Sequence, residues 1–385
     1  MNAHQGISEH RLRYANESSA EPHQPSIEFA ALSRAEDIYR LKPEWDALYQ
    51  SAQRPLVNQS YEWNRCCWET LSLKGRRQLH CITGRLGGQL VLVWPLIVGR
   101  EQGIWKVAKS LAAGTEYSSV LLNAAMDSET LISAALRVLR HTCRADYFAF
   151  HAVREDSPLY PVLVREGALC TAEEPAAYMS FEQHSTWDSF SRSLGSKYRA
   201  ESKRTRRRLA ELGHLSFSLT QNNEEYISQL EWIKKGKQSR MIVKNWQSTF
   251  YSTDQFWNVM ANFIDYGHYD GWPCIFSLKL NDRVIAADWL MVNDYRIEGF
   301  ASAFDEKYSK YAPGKLLKEE IAKWACERRI IYDFRTGNEV YKKTITNKHY
   351  TTKSFKVNNS LLGRLYFIIR RITLNTQDIL NNIKK

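Results

Sequence analysis

The run CIFSLKLNDRVIAADWLMVNDYRIEGFASAF, residues 274–304, with its continuation DEKYSKYAPGKLLKEEIAKWACERRIIYDF, residues 305–334, decides the fold. Cys274 to Leu280 is β-rich and runs into Asn281-Asp282, a pair suited to a tight turn. Val284 to Val292 follows and ends at Asn293-Asp294, a second such pair, and Arg296 to Phe304 makes a third run. Three β-rich runs joined by short polar turns predict a meander of antiparallel strands. The nearly continuous apolar character of the middle run predicts burial on both faces.

Beyond Phe304 the chain passes Asp305 to Ala312 and reaches Pro313-Gly314. Proline lacks an N–H and suits the first helical turn, while glycine lets a ligand approach the backbone. Leu317, Ile321 and Trp324 recur at helical spacing, with Glu319 four residues before Lys323 on the polar side. Arg328-Arg329 stand where cations suit a helix C-terminus, and Ile330 to Phe334 predicts a strand. A strand feeding a Gly-containing loop at a helix start is a place to hold a phosphate, because N–H groups there are unpaired and the dipole favours an anion. Taken alone, the same pattern also fits an ordinary β-α-β connection.

At 385 residues the chain is long for one domain, so two are the default. A hydrophobic content of 44%, with 12% aromatic, is ample for packed cores. No apolar run approaches the ~20 residues of a membrane span. His4, Glu9 and His10 interrupt any secretory core near the N-terminus. Seven cysteines without a CxxC pair, Cys66 and Cys67 being adjacent, predict reduced, mostly buried thiols in a cytoplasmic protein.

The net charge of +11 is concentrated. Lys197 to Arg208 holds seven Lys/Arg and one acid, and Lys342 to Lys385 holds ten and one. Two local basic patches suggest two specific tasks rather than a general coat for nucleic acid.

Residues 1–26 are polar, contain Pro22 and Pro25, and predict a disordered arm. Residues 27–180 read as a first α/β domain. Within it, Pro43 to Tyr49 predicts an amphipathic helix. Gln78 to Arg85 and Gln89 to Val98 predict a hairpin, with Pro95 at a bulge or edge. Asp127 to Cys143 predicts a helix and Asp146 to His151 a strand. Residues 181–355 form the second domain and residues 356–385 a basic amphipathic helix.

The segment from Ala303-Phe304-Asp305, through Tyr311-Ala312-Pro313-Gly314-Lys315-Leu316-Leu317, to Tyr332-Asp333-Phe334, Gly337-Asn338-Glu339 and Tyr341-Lys342 resembles the acyl-CoA-binding half of the GNAT acyltransferase superfamily. More closely, it resembles the branch of BioF2-like or CelD-like (cellulose biosynthesis) acetyltransferases, related to the FemAB aminoacyltransferases. Several short motifs in the right order are more specific than any one. The familiar GNAT pyrophosphate loop has two glycines; this chain has Gly314 alone there, as is usual in this branch. Asn58-Gln59-Ser60-Tyr61-Glu62-Trp63 and the Val91 to Leu96 strand resemble the family's first half. The implied architecture is α/β (α+β): two tandem GNAT-like domains, each a mixed, mainly antiparallel sheet flanked by helices. The likeness spans roughly Ile27 to Tyr350.

Trp187 to Gly213 predicts one helix closed by a glycine. Leu194, Tyr198, Leu209 and Leu212 fall near one face, and five of the six residues Lys203 to Arg208 are basic. Like charges four residues apart cost a few tenths of a kcal/mol per pair, roughly, which a bound anion would offset. A solvated face is the plain alternative. The resemblance leaves an anionic acceptor, the cofactor or intramolecular acids as partners for Arg204, Arg207 and Arg208. In the tail, Leu362, Leu365, Phe367, Ile369 and Ile372 alternate with Arg364, Arg370 and Arg371. Such a helix docks on its own domain or lies on an anionic membrane.

The resemblance implies direct acyl transfer from a CoA thioester to an amine, with no covalent enzyme intermediate. The acceptor would be a small amine, such as an amino sugar or sugar nucleotide of envelope or exopolysaccharide biosynthesis. The amine must lose a proton, the thioester oxygen needs donors, and the leaving thiolate needs a proton. Asp333 and Glu339 are expected as base or amine ligands; a turn cap, or a salt bridge to Lys342 or Arg335, is the alternative for each. Tyr341 is the expected general acid, with Tyr311 its rival, and Lys342 an anion or acceptor contact. Lys310, Gly314 and Lys315 would surround the phosphates, and Ala303 and Phe304 would follow the pantetheine arm of acetyl-CoA or a longer acyl-CoA. A FemAB-like enzyme using aminoacyl-tRNA is the alternative, and a non-catalytic accessory protein of the same fold a third. His268-Tyr269-Asp270 lacks a nucleophile elbow, no spacing suggests a metal, and Gly84 to Gly88 sits in a hairpin rather than a dinucleotide loop.

Overall fold

The structure is a computed structural model, and it describes residues 11–13, 26–72, 77–111, 117–245, 248, 251–266 and 273–369. In the first half these form β1 (Arg11–Arg13), β2 (Ile27–Leu32), α1 (Ala35–Tyr39), α2 (Lys42–Ser51) and α3 (Tyr61–Ser72). There follow β3 (Gln78–Leu86), β4 (Gln89–Glu101), β5 (Trp105–Ser110), β6 (Leu121–Leu122), α4 (Ser128–Thr142), β7 (Tyr147–Arg154), α5 (Leu159–Arg165) and β8 (Leu169–Met179). The second half comprises α6 (Trp187–Ser193), α7 (Ser196–Ala210), β9 (Leu215–Leu219), α8 (Asn223–Val243) and α9 (Asp254–Asn262). It continues with β10 (Cys274–Leu280), β11 (Arg283–Val292), β12 (Arg296–Phe304), α10 (Pro313–Glu327), β13 (Ile331–Thr336), α11 (Val340–Ile345) and β14 (Lys348–Asn358). A final helix, α12, covers residues 361–369.

The described strands join in one mixed sheet, in the order β1-β2-β3-β4-β5-β7-β14-β8-β13-β12-β11-β10-β9, with β6 beside β4. Each half repeats one plan. Antiparallel β3-β4-β5 is followed by α4 and by β7, parallel to β5. Antiparallel β10-β11-β12 is followed by α10 and by β13, parallel to β12. The expected α/β architecture is therefore present, as a large mixed sheet flanked by helices. The halves are interlaced, because β14 lies between β7 and β8, and β8 in turn pairs with β13.

The predicted meander is realised. Asn281 and Asp282 both adopt positive φ, 48° and 64°, the conformation that turns β10 tightly into β11. At the next turn the Asn293 Oδ1 accepts from the N–H groups of Tyr295 and Arg296. Strand β11 is buried on both faces. Ala287, Trp289 and Met291 pack with Tyr226, Leu230 and Ile233 of α8, while Ala286, Leu290 and Val292 pack with Leu316, Leu317 and Ile321 of α10. The α8 core continues into the first half, where Trp63 of α3 stacks on Phe263 and Phe300.

Four expectations change. Trp187 to Gly213 is two helices, α6 and α7, because Leu194 and Gly195 adopt extended-type ψ angles near 150° and break the ladder. Leu212 is exposed, whereas Leu194, Tyr198 and Leu209 are buried. Pro95 marks neither a bulge nor an edge. It lies opposite Cys81, where the second neighbour of β4 changes from β6 to β5, and the bulge falls at Gly84/Arg85. The C-terminal helix begins at residue 361 rather than 356, because the alternating sequence Lys348 to Asn358 completes β14. Within the expected N-terminal arm, Arg11–Arg13 pair with β2; the rest of residues 1–25, His268-Tyr269-Asp270 and residues 370–385 lie outside the described residues.

Candidate active site

Strands β12 and β13 run parallel only over Arg296–Glu298 and Ile331–Asp333, and beyond that no pairing joins them. A bulge at Asp333/Thr336 against β8, with Arg335 at φ 60°, turns β13 away. The separation leaves the edge of β12 open. Asp305 N–H donates to the Ile285 carbonyl. In an antiparallel ladder, bonded and non-bonded pairs alternate. Ala303 is therefore bonded to β11, and the backbone groups of Ser302 and Phe304 face the gap.

One end of this edge meets the start of α10. A Cβ on Gly314 would lie 3.6 Å from the Phe304 ring, so the helix begins directly beside the strand. Ala312, at φ 48°, offers no capping side chain to the first turn, and Pro313 supplies the fixed φ of a helix start. Cations surround this uncapped end. Arg208 and Lys310 each lie 5.0 Å from the Tyr311 ring, and Arg240 lies 5.0 Å from that of Phe304. An uncapped first turn ringed by cations suits an anion such as a polyphosphate.

Farther along the gap is a cavity of about 140 Å³. Gly299 to Ser302 form one wall and Phe334 to Thr336 the other, and the side chains of Lys237, Tyr251, Asp288, Lys318, Tyr332, Glu339, Tyr341 and Lys342 line it. Asp288 is buried and pairs with Lys318 at 2.7 Å. Burial alone would discharge the Lys318 ammonium, but Asp288 together with the Tyr332 and Tyr341 phenols outweighs it and holds the pKa well above the ordinary value. Burial raises the Tyr341 phenol, which keeps its proton at neutral pH and so can donate it. For Glu339, burial is outweighed by Lys342, 3.0 Å away, and the carboxyl is held below its usual range, ionised and able to accept a proton.

Lys237 is the odd group in this set. Its side chain is only partly exposed at the cavity wall and lies 4.5 Å from the Tyr251 ring. Desolvation, then the like charge of Lys318, bring its pKa down to about 8. The sign follows from proton binding. Between about pH 8 and the ordinary lysine value, the unfolded chain holds a proton that the native protein lacks, so stability rises with pH across that window. Lys237→Met is accordingly expected to raise the urea midpoint at pH 7, with the gain shrinking as pH rises past 8 toward 10.5. A pH-independent difference between variant and parent would contradict this origin.

The structure gathers Glu339, Tyr341 and Lys342 in the cavity and keeps Asp333 out of it. Tyr332 and Phe334 face the gap, so the intervening Asp333 points to the other side of the sheet. There it accepts from Tyr350 Oη (2.7 Å), Tyr117 Oη (3.1 Å) and Arg335 N–H (2.7 Å), with Arg296 at 3.4 Å and Arg154 at 3.7 Å. Lys342 spends its protons internally, on the carbonyls of Thr336 (2.7 Å) and Arg335 (3.3 Å) and on Glu339. That makes it a clasp on the turn after β13 more than an acceptor contact.

Ala303 faces α8, where Gly236 leaves it room; a Cβ there would lie 2.9 Å from that of Ala303. Lys315 is tied to Glu201 at 2.9 Å, and Lys310 is exposed beside Tyr311. On α7, Arg206 pairs with Glu320 and Arg207 lies 3.7 Å from Glu211, Arg204 is exposed, and Arg208 alone of the expected arginines stands beside the α10 loop. Among the described residues no group of three or more His, Cys, Asp or Glu could hold a metal, and the seven cysteines are free thiols.

Lys237, Asp288 and Lys318 escaped the sequence reading. Asp288 carried a signal, a lone acid inside an otherwise apolar strand, which needs a buried partner. Nothing local marks the other two.

A family model described as an acetyltransferase (GNAT) domain matches residues 196–343. That stretch is therefore similar to a GNAT-type acetyltransferase domain. The match takes in the basic helix α7, the open edge of β12, the α10 loop and the crevice. The chain is similar in structure to FemX, at 14% identity and a TM-score of 0.59, over 84% of this chain and 98% of that one. It is also similar to a C-terminal domain assigned to a lysylphosphatidylglycerol synthetase from Agrobacterium fabrum (12% identity, TM-score 0.51, 86% and 95% covered). A conserved protein of unknown function from Bacteroides thetaiotaomicron is a third such structure (11%, 0.53, 82% and 97%). At these identities the likeness shows the fold. No match is found among curated proteins.

Proposed function

We propose that the GNAT-type domain transfers an acetyl or longer acyl group from a coenzyme A thioester to an amine at the gap between β12 and β13. The observation that carries this reading is the continuous path from the uncapped, cation-ringed start of α10, along the open edge of β12, to the cavity holding Glu339 and Tyr341. Arg208, Lys310 and the first turn at Gly314 would hold phosphates, and the free backbone groups of Ser302 and Phe304 would pair with the amide arm. Glu339 takes the proton of the attacking amine, backbone N–H groups of β12 receive the developing oxyanion, and Tyr341 protonates the departing sulfur. The CelD-like resemblance supports an amino sugar or sugar nucleotide as acceptor. The FemAB-like alternative, with aminoacyl-tRNA as donor, is favoured by the fold likeness to FemX.

Calorimetry separates the two. Acetyl-CoA is expected to bind with saturable heat, weakened about tenfold, or ~1.4 kcal/mol, in Arg208→Glu. Binding of tRNA in place of any CoA compound would transfer the assignment to the alternative. If neither binds, the accessory-protein reading gains.

We also propose that α12 rests on an anionic membrane surface. Tyr366 docks it on the protein by stacking 4.5 Å from the Tyr147 ring, while Leu361, Leu362, Leu365, Ile368 and Ile369 are exposed beside Arg364. No described helix is long and apolar enough to cross a membrane. The protein is expected to sediment with phosphatidylserine vesicles, and a Leu361→Gln, Leu362→Gln, Leu365→Gln triple variant to sediment far less. Equal sedimentation of the variant, or none of the parent, would remove this reading.

A further inference from the structure

A second cavity, about 620 Å³, lies between the two halves, on the face of β13 opposite the transfer crevice. The segments around Arg54 and Ser119 and the turn after β7 wall it from the first half, and Arg296, Ile331 and Asp333 from the second. That volume suits a small ligand.

Arg154 is rigidly held in this wall. Its Nε and Nη2 donate to the two oxygens of Asp156 at 2.8 and 2.6 Å, and its guanidinium lies 4.2 Å from the Tyr350 ring. The third nitrogen, Nη1, makes no hydrogen bond and is 3.7 Å from Asp333. Arg296, 5% exposed, reaches the same carboxylate oxygen at 3.4 Å through Nη1, while its Nε has no hydrogen-bond partner. Asp333 cannot satisfy both. Its oxygens already accept from Tyr117, Tyr350 and the Arg335 N–H. On the same cavity wall the Ser119 hydroxyl is buried without a partner.

Three buried donors without acceptors around one cavity call for an explanation, and two of them belong to guanidiniums, whose fork geometry matches carboxylate and phosphate. We propose that this cavity binds a small molecule through a carboxylate or phosphate group held by Arg154, Arg296 and Ser119. The site is separate from the donor path, since alternate residues of β13 face the two cavities, and it stands whichever donor the crevice takes. Beyond the anionic group, Leu121, Leu122 and Pro158 offer an apolar wall to the rest of the ligand.

The test uses the full chain with inorganic phosphate and with succinate, each followed by calorimetry and thermal unfolding. One of the two anions is expected to give saturable heat and raise the unfolding midpoint, and which one does so assigns the group. Arg296→Gln is expected to weaken that binding about tenfold or more. Ala124→Trp, an exposed position on the cavity wall outside the ion network, is expected to do the same while keeping the parent's circular dichroism spectrum. If Arg296→Gln fails to fold, Ala124→Trp decides alone. Absence of saturable binding by both anions, or unchanged binding in Ala124→Trp, overturns the proposal.

Discussion

Asp333→Asn is expected to destabilise the protein by about 3–5 kcal/mol, the usual loss when one partner is removed from a buried ion pair. The side chain is 1% exposed and faces two guanidiniums, those of Arg296 and Arg154. Asparagine keeps the shape, and its oxygen still serves the Arg335 N–H. Its amide group, however, presents hydrogens to Tyr350 and to both arginines, leaving positive charge buried without compensation. The urea midpoint should fall with the slope of the transition unchanged. A loss below about 1 kcal/mol would show that the two arginines do not depend on Asp333 for compensation. The result bears on mechanism, because inactivity of this variant would report a weakened fold and not a missing base.

Tyr341→Phe is expected to lower kcat by about 10²–10⁴-fold with KM for the acyl donor little changed, the range for loss of a general acid. The phenol lines the crevice and burial raises its pKa, so it is protonated at neutral pH, as a proton donor must be. Removing one oxygen leaves its packing against Phe334 in place, so stability should hardly move. A thioester with a more acidic leaving thiol needs less help from an acid, and the defect should shrink with such a donor. A loss under about tenfold, or one independent of the leaving group, would rule out this role.

Local chemistry made much of the second half legible. Two-residue polar turns marked the β10-β11-β12 meander, Pro313 marked the start of α10, and the apolar run of β11 announced burial on both faces. Relations across the chain were not legible. The alternation in Lys348 to Asn358 fits a strand, yet nothing near it tells that the strand belongs between β7 and β8. Asp333 was read toward the crevice from its place at a strand end, but side chains alternate in direction, and with Tyr332 and Phe334 turned into the gap it had to face the other way. Glu339 and Tyr341 were legible because they follow the same strand closely. Their companions Lys237 and Asp288 come from α8 and β11, and Arg154 from the first half, so only the folded chain brings them near.

The position of β14 sets an order on how the molecule can be made. Strand β7 is complete by residue 154 and β8 by residue 179, yet the strand that joins them begins at Lys348. A chain emerging from the ribosome therefore holds two unsatisfied strand edges through nearly half its synthesis, and closing the sheet must await a contact of long sequence separation. During that interval the edges are open to any other extended segment, including those of neighbouring nascent copies. Fragments ending before Lys348 should aggregate where the longer chain does not, and a cut near residue 180 should yield two insoluble pieces instead of two working modules.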